Sequence, residues 1–341
     1  MNSTIGVDLG EGTIKLVTLS KDNAGLVLNS LSEIKNPRPD WLKAGNDKYG
    51  SEIAKTIKSL MDEAKLKTKQ AVVCIPEGEV ISRLIRLPPL KENEIMDALK
   101  FEAETFIPYP LDQVSIDYEI IEEDDAGRLS IFVIAAQNSL IQNYIKLFKS
   151  IGLELFAIET TAVSLARVVT SSMALVKGVV VVDMGEKHSE IVGIDNGKVY
   201  FTRSMMVGGE SLTRAISLNL GLDMASAEEY KKAYGMKELE LEGKIKNAIS
   251  PIFANMAEEI RKSLALFAEE QKKAAELLVL SGGGANLPGL AEELTKLLGI
   301  EVQVIQPFLK VDLKQVQLPI NLNVEGCRFS VATGLAMRGT L

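Results

Sequence analysis

The chain has 341 residues, of which 46% are hydrophobic and 25% are charged, and its formal net charge is −8. This length allows two or three domains with buried cores, and interspersed charges without a basic stripe argue against nucleic acid as a partner. No apolar run approaches the roughly 20 residues that span a bilayer, no signal-peptide pattern opens the chain, and one histidine with two isolated cysteines leaves no zinc set, so we expect a cytoplasmic protein.

The first part of the chain predicts a three-stranded meander, a helix and a buried strand. The meander comprises Ile5–Leu9, Lys15–Leu19 and Leu26–Ser32, the helix covers Ser51–Ala64, and the buried strand is Ala71–Pro76. Asn36–Gly50 predicts a loop, in which we expect Trp41 to be a packing anchor.

A self-contained β-α-β-β-α block follows. Its predicted elements are the strand Val80–Leu87, the helix Lys91–Phe106, the strands Val114–Ile121 and Leu129–Ala136, and the helix Asn138–Ile151. We interpret this block as a subdomain inserted between two pieces of a larger domain.

The second half of the chain again predicts a meander followed by helices and further strands. The predicted strands are Glu154–Ile158, Val179–Met184, Glu190–Asp195, Lys198–Met206 and Glu301–Ile305, with one more at the start of LLVLSGGGANLPGL (Leu277–Leu290). The predicted helices are Thr160–Val169, Glu210–Asn219, Ser226–Tyr234, Ser250–Lys273 and Phe329–Arg338.

Two stretches share nearly the same pattern, IGVDLGEGTIKLV (Ile5–Val17) and VVVVDMGEKHSEIVGI (Val179–Ile194). Each places an aspartate and then a glycine directly after an apolar strand. Glycine lets backbone N–H groups approach phosphate oxygens closely. Asp8 and Asp183 would repel phosphate, but they can hold a hydrated magnesium ion between two halves of the fold, with Lys15 supplying positive charge. The alternative for each stretch alone is an ordinary hairpin turn.

Together with SGGGANLPG, these stretches resemble the superfamily of actin, sugar kinases and DnaK-type chaperones. The resemblance implies an α/β, duplicated actin-like (ribonuclease H-like) two-lobe fold that binds ATP and Mg²⁺ in its cleft, with Asp8 and Asp183 at the metal. The implied nucleotide-binding residues are Gly10, Glu11, Gly12, Thr13, Lys15, Gly185, Ser189, Gly208, Gly209, Glu228, Lys231, Gly282, Gly283, Gly284 and Asn286.

The helix that connects the lobes in many members opens with a catalytic glutamate, and IETTAVSLA (Ile158–Ala166) is similar to it. Glu159 is therefore a candidate general base, or else a first-turn acid favoured by the helix dipole, and we favour the second role. Glu11 and Gly12 stand where the first loop usually has small hydroxyl residues. Ser189 can replace the hydroxyl donor of the second loop. A carboxylate beside the phosphate predicts at most a slow ATPase.

Within the superfamily the chain resembles the PilM family of type IV pilus assembly, most specifically in IPYPLDQVSIDY (Ile107–Tyr118). The resemblance implies that 1–78, 151–172 and 325–341 form lobe I, that 79–150 form the inserted subdomain, and that 173–324 form lobe II. It implies a cytoplasmic scaffold that grips the N-terminal tail of a PilN-like inner-membrane protein and reaches the membrane through it. Other pilus motor proteins and a homo-oligomer stay open.

The groove for that tail is expected between the inserted subdomain and the lobe that carries it. Its candidate residues are Ile81, Leu84, Phe101, Ile107 and Tyr109. The alternative for each of them is the subdomain's own core. Two other functions also stay open: a small-molecule kinase, for which no substrate insertion is evident, and an FtsA-like filament protein, which would need an amphipathic membrane tail after the last predicted helix.

Overall fold

A computed structural model describes residues 4–41, 47–173, 177–314 and 320–340. In chain order its strands are β1 (Thr4–Leu9), β2 (Thr13–Lys21), β3 (Leu26–Lys35), β4 (Gln70–Ile75), β5 (Ile81–Leu87), β6 (Val114–Glu123), β7 (Leu129–Gln137), β8 (Glu154–Thr160), β9 (Val179–Met184), β10 (Ser189–Asp195), β11 (Lys198–Met205), β12 (Leu277–Ser281), β13 (Val302–Val304) and β14 (Val311–Asp312). Its helices are α1 (Asp47–Glu63), α2 (Glu92–Ala103), α3 (Asn138–Ser150), α4 (Thr161–Ser172), α5 (Gly209–Leu220), α6 (Met224–Tyr234), α7 (Lys244–Gln271), α8 (Leu290–Leu298), α9 (Leu322–Glu325) and α10 (Ser330–Arg338). Residues 42–46 of the predicted loop lie outside the described ranges, and within those ranges no helix is long and apolar enough to cross a membrane.

Two mixed sheets share one strand order. In the first sheet the antiparallel meander β3-β2-β1 continues into parallel β4 and β8, and β14 adds to the outer edge. In the second sheet the meander β11-β10-β9 continues into parallel β12 and β13. Val179–Val182 in β9 is at most 1% exposed, as expected for a strand that is covered on both faces. We call the first sheet with its helices lobe I and the second lobe II.

The strand β14 departs from the predicted division of the chain. Val311 and Asp312 pair in parallel with Leu26 and Val27 of β3, so they extend the sheet of lobe I from within the range predicted for lobe II. A strand of two residues is too short for its hydrophobic period to be visible in the sequence. Apart from those that β14 and α3 affect, the predicted boundaries stay predictions.

The inserted segment contributes a third sheet, in the antiparallel order β5-β7-β6, with α2 beside it. The prediction that α3 belongs to this insertion is wrong. Tyr144, Leu147 and Phe148 of α3 are buried in the core of lobe I, where the rings of Tyr144 and Trp41 form a T-shaped contact with 5.2 Å between centroids. Parallel neighbours such as β4 and β8 need a crossover, and α3 supplies its helix. Trp41 is the packing anchor that was expected.

The helices α4 and α10 pack against each other beside the first sheet. A Cβ atom on Gly334 of α10 would lie 2.3 Å from the carbonyl oxygen of Ser164 in α4, so only glycine permits this approach. The hydroxyl of Ser164 donates to the carbonyl of Val331 at 2.7 Å. The small residues of the last helix therefore allow it to lie directly on α4.

Candidate functional site

The first hairpin brings an aspartate and a lysine together at the end of β1. Asp8 and Lys15 are paired across β1 and β2, and Lys15 Nζ lies 3.5 Å from Asp8 Oδ2. Between them, a Cβ atom on Gly10 would lie 2.9 Å from the carbonyl oxygen of Thr13, which explains the glycine in this turn. Burial raises the pKa of Asp8, and the nearby Lys15 opposes that rise.

The second hairpin has the same construction. Asp183 lies one residue before the end of β9, and a Cβ atom on Gly185 would lie 2.7 Å from the carbonyl oxygen of His188. The hydroxyl of Ser189, expected to be a donor in the second loop, is fully buried and donates to the carbonyl of Val207 at 2.6 Å. The sequence shows a hydroxyl in the right place but not which acceptor it binds.

The two hairpin loops touch each other. Nδ1 of His188 lies 2.8 Å from Oε2 of Glu11, and a Cβ atom on Gly12 would lie 1.9 Å from Oε2 of Glu186. The Glu11 carboxylate therefore faces the opposite loop. The contact ties lobe I to lobe II where the resemblance places the phosphates.

Buried carboxylates gather behind these loops. Burial, reinforced by the nearby Asp8, raises the pKa of Asp183 to about 6. Oδ1 of Asp183 is buried and has no hydrogen-bond partner among the described residues. Two acids that lack solvation on facing hairpins suit a hydrated divalent cation, which would supply the missing positive charge. The residues present therefore fit magnesium.

Sequence reasoning missed two further acids in this region, Glu77 and Glu190. Glu190 stands opposite Asp183 across β9 and β10, and one of its oxygens, Oε1, accepts a hydrogen bond from the backbone N–H of Glu77 at 2.9 Å. Burial, together with Glu77 and Asp183, raises the pKa of Glu190 well above its usual range. The signal in the sequence was a single acid inside the apolar run SEIVGI, directly across the hairpin from Asp183.

The glycines after β12 form a loop against the second hairpin. Cβ atoms on Gly282 and Gly284 would lie 2.6 and 2.7 Å from atoms of Met184, whereas a Cβ atom on Gly283 meets nothing within 4 Å. Open space above a loop that is tightly packed below suits a flat ligand. Asn286, the last predicted residue of this loop, accepts from the Cys327 thiol with its side-chain oxygen at 3.2 Å.

The start of α5 and the helix α6 complete this side of the site. Gly208 is pressed against the second hairpin loop, and Gly209 N donates to the carbonyl of Gly185 at 3.0 Å. The nearly buried Lys231 Nζ donates to the carbonyl of Gly209 at 3.0 Å and pairs with Glu228 Oε2 at 2.6 Å. Although burial opposes it, hydrogen bonds from Lys231 and a neighbouring threonine lower the pKa of Glu228.

Glu159 is not in the first turn of a helix, which contradicts the role favoured for it, and its two ion pairs argue against a general base. It lies in β8 rather than at the start of α4, and its carboxylate pairs with Arg167 at 2.7 Å and with Arg338 at 3.2 Å. The helix α4 begins at Thr161, and the N–H of its Ala162 donates to Glu77 Oε1 at 3.0 Å. The strand runs two residues further than predicted, so Glu159 is an ion-pair residue between helices.

A second candidate site is a cavity of about 300 Å³ where the inserted sheet meets lobe I. Its walls are residues 78–81, residues 108–109, parts of β6 and β7, and the first turns of α3. Of the predicted partner residues, Ile81 and Tyr109 line this cavity, whereas Ile107 is buried in the small core beside it.

Two predicted partner residues lie elsewhere. Leu84 is on the opposite face of β5 from Ile81, because side chains alternate along a strand, and it packs against the large core cluster that includes lobe II. Phe101 is 72% exposed on α2 and does not line the cavity. Proximity along the chain did not reveal which face each residue occupies.

Comparisons with known proteins agree with this architecture. The family profile described as "Type IV pilus assembly protein PilM" matches residues 6–340. A solved structure described as a "PilM-PilN type IV pilus biogenesis complex" is 27% identical and has a TM-score of 0.84. The match covers 99% of this chain and 98% of that chain. MreB 5 of Spiroplasma citri, solved with AMPPNP, is 13% identical with a TM-score of 0.55, over 99% of this chain and 96% of its own, and shows the fold alone.

Among curated proteins, the cell division protein FtsA of Streptococcus pneumoniae serotype 2 (strain D39 / NCTC 7466) is 21% identical over 89% of this chain and 75% of its own length. The duplicated actin-like two-lobe fold expected from the sequence is thereby confirmed, and so is the resemblance to PilM. The chain belongs to the PilM family of type IV pilus assembly proteins.

Proposed function

We propose that this chain is a magnesium-ATP-binding scaffold of type IV pilus assembly that captures the cytoplasmic N-terminal tail of a PilN-like membrane protein. The observation that carries the proposal is its membership of the PilM family over nearly the whole chain. Through this partner the chain would work at the inner membrane.

The geometry of the cleft supports the nucleotide part of the proposal. Asp8 and Asp183 would hold magnesium through water, and Lys15 would face the phosphates. Gly283 leaves room for the adenosine. Magnesium would neutralise phosphate and carboxylate charge in the cleft. Glu159 is occupied by ion pairs with two arginines, so turnover should stay far below that of a metabolic kinase.

Nucleotide binding is tested by thermal unfolding and calorimetry. Magnesium-ATP should raise the unfolding temperature, because a ligand that binds only the native state stabilises it. Asp8→Asn or Asp183→Asn should remove most of that shift, whereas Asp117→Asn, an exposed aspartate on β6, should keep it. No shift and no heat of binding with the unaltered chain would refute the nucleotide proposal.

The cavity beside the inserted sheet supports the peptide part. It is open to solvent at Tyr109, which is 41% exposed, and its walls mix apolar side chains with polar ones from α3. A short extended peptide can place one or two apolar anchors in such a space while its backbone finds polar partners. The similar solved structure is a complex of PilM with PilN, and a PilN-like tail is consistent with a cavity of this kind.

Peptide capture is tested with a synthetic N-terminal peptide of the PilN-like protein from the same organism. Tyr109→Asp should weaken binding about tenfold or more, because it places a charge at the cavity wall. Phe101→Asp is the matched control, an exposed aromatic of the same subdomain outside the cavity, and should change affinity less than about twofold. Equal effects of the two variants would remove the peptide from this cavity.

A further inference from the structure

One short turn is shared by the nucleotide cleft and the peptide cavity. The turn Glu77–Glu79 follows β4 and leads into β5. Its Gly78 and Glu79 line the cavity, together with Ile81 at the start of β5. Its first residue is Glu77, which is buried. A shift of this turn would therefore change the cavity wall.

Glu77 is bonded on two sides. Its backbone N–H donates to Glu190 Oε1 of lobe II at 2.9 Å, and its own carboxylate accepts from the N–H of Ala162 in lobe I at 3.0 Å. Glu190 in turn stands directly across the hairpin from Asp183. Residues opposite each other in an antiparallel pair project from the same face of the sheet. Only one side chain thus separates the proposed magnesium residue from the turn.

The inserted sheet is also attached to lobe II along β5. The hydroxyls of Ser82 and Thr202 lie 2.7 Å apart, and Arg86 pairs with Glu270 of α7. Another wall of the cavity is formed by α3, which belongs to the core of lobe I. The cavity therefore lies between a wall held by lobe II and a wall held by lobe I. Any change in the relation of the lobes changes its shape.

We infer that nucleotide in the cleft and peptide in the cavity are coupled through the contact between Glu190 and the Glu77–Glu79 turn. Nucleotide with magnesium engages both hairpins and draws lobe II towards lobe I, which holds Glu190 on the turn and keeps the cavity in its bound shape. The coupling is positive, and it must be reciprocal because binding free energies are linked. This inference rests on the proposed function, since it needs both ligands to bind.

The experiment measures four dissociation constants by calorimetry with the full chain. The probes are magnesium-AMPPNP and the synthetic tail peptide, each titrated with and without a saturating amount of the other. In the unaltered chain, AMPPNP should tighten peptide binding about fivefold or more, and the peptide should tighten AMPPNP binding by the same factor. The readout is the ratio of the dissociation constants measured without and with the second ligand. A variant that changes the affinity for one ligand equally in both conditions does not alter this ratio.

Three variants then locate the coupling. Glu190→Ala removes the acceptor for the Glu77 N–H, and the ratio should fall to about one. Glu190→Gln keeps an acceptor oxygen and should preserve most of the ratio. Glu119→Ala, an exposed glutamate on a strand of the inserted sheet, should preserve all of it. An undiminished ratio in Glu190→Ala would overturn the inference.

The outcomes separate the inference from the proposed function. If neither ligand binds the unaltered chain, the proposed function fails. If both bind and the ratio is one, only the coupling fails. Should Glu190→Ala not fold, amide hydrogen exchange of the unaltered chain decides: AMPPNP must slow exchange in residues 77–81, and unchanged exchange there refutes the coupling.

Discussion

At the scale of single residues, the unusual feature is a set of buried carboxylates between the lobes. Asp183 and Glu190 face each other across one hairpin, and each has a buried oxygen without a hydrogen-bond partner among the described residues. Burying a charge without a partner is costly, so proteins keep such groups where a ligand or a proton compensates. Nucleotide-bound magnesium is the compensating charge that the proposed function supplies.

The raised pKa of Asp183 makes stability without nucleotide depend on pH. Its native pKa of about 6 lies above its unfolded value of 3.8, so the native state binds this proton more tightly. The free energy of unfolding therefore falls as pH rises from about 4 through 6, by about 3 kcal/mol in total. Urea unfolding should show that Asp183→Asn gains that amount relative to the unaltered chain between pH 4 and 7.5.

The control for this titration is Glu119→Gln, which removes an exposed acid from β6. Its stability difference from the unaltered chain should hardly change over the same pH range. A difference for Asp183→Asn that is constant with pH would show that Asp183 does not take up a proton on folding.

Gly283 offers a way to block the nucleotide without disturbing the protein. A side chain there would enter the open space above the loop, so Gly283→Leu should abolish the stabilisation by magnesium-ATP. Its own unfolding temperature should hardly change, because exposed substitutions cost little. Gly284→Leu is the matched comparison: its side chain meets Met184, and it should lower the unfolding free energy by about 1–3 kcal/mol. If Gly283→Leu still bound ATP, the adenosine could not lie above this loop.

At the scale of elements, the junction of β8, α4 and α10 is held by charge. Glu159 has a side chain only 7% exposed, and it pairs with Arg167, 16% exposed, and with Arg338, 55% exposed. Arg167 also donates to the carbonyl of Gly334 at 2.6 Å. The pair joins the connecting helix to the last helix, so it supports the frame around the cleft rather than the chemistry within it.

Removal of this carboxylate should therefore change stability and leave nucleotide affinity unchanged. Glu159→Ala leaves the mostly buried Arg167 without its carboxylate partner, and we expect a loss of about 3 kcal/mol in urea unfolding. Adding Arg167→Met should restore part of that loss, because it removes the unpaired charge. If Glu159→Ala instead lost AMPPNP affinity at unchanged stability, Glu159 would have a role in the cleft.

At the scale of the whole molecule, the inserted sheet bridges the two lobes. It is continuous in chain with lobe I and is bonded to lobe II, where Lys198 Nζ donates to the carbonyls of Ile120 and Ile121 at 2.8 and 3.0 Å. This placement gives the subdomain access to both halves without a role in the proposed nucleotide site. A partner held there would sense how the lobes are arranged.

Two deletions should separate the insertion from the lobe. Removing Glu79–Ser150 also removes α3, whose Tyr144 and Phe148 are buried in lobe I, and this variant should not fold. Replacing only residues 81–136 by a short glycine linker keeps α3, and the ends are close because Ile81 pairs with Ala135. The second variant should show native circular dichroism with a lower unfolding temperature, stabilisation by ATP, and no binding of the tail peptide. Folding of the first variant would show that α3 is dispensable.

The sequence by itself determined the duplicated fold and the outline of the proposed nucleotide site. Two Asp-x-Gly hairpins and a triple glycine are local patterns, and their backbone needs are visible in a short stretch of residues. The extents of β9 and of most helices followed from the spacing of their hydrophobic residues, because that spacing is also a local pattern. The pattern of strands and helices also predicted the inserted subdomain, and the family resemblance agreed with it.

Only the tertiary structure decided which groups meet across the lobes. Three interactions join residues that lie on different parts of the fold. They are the hydrogen bond from Ser189 to Val207, the ion pairs of Glu159 with two arginines, and the hydrogen bond from Glu77 to Glu190. Likewise, Leu84 and Ile81 are three residues apart but face opposite sides of β5. A side chain's partner depends on packing in three dimensions, which no local period encodes, and this is why the cleft was predicted while its connection to the cavity was not.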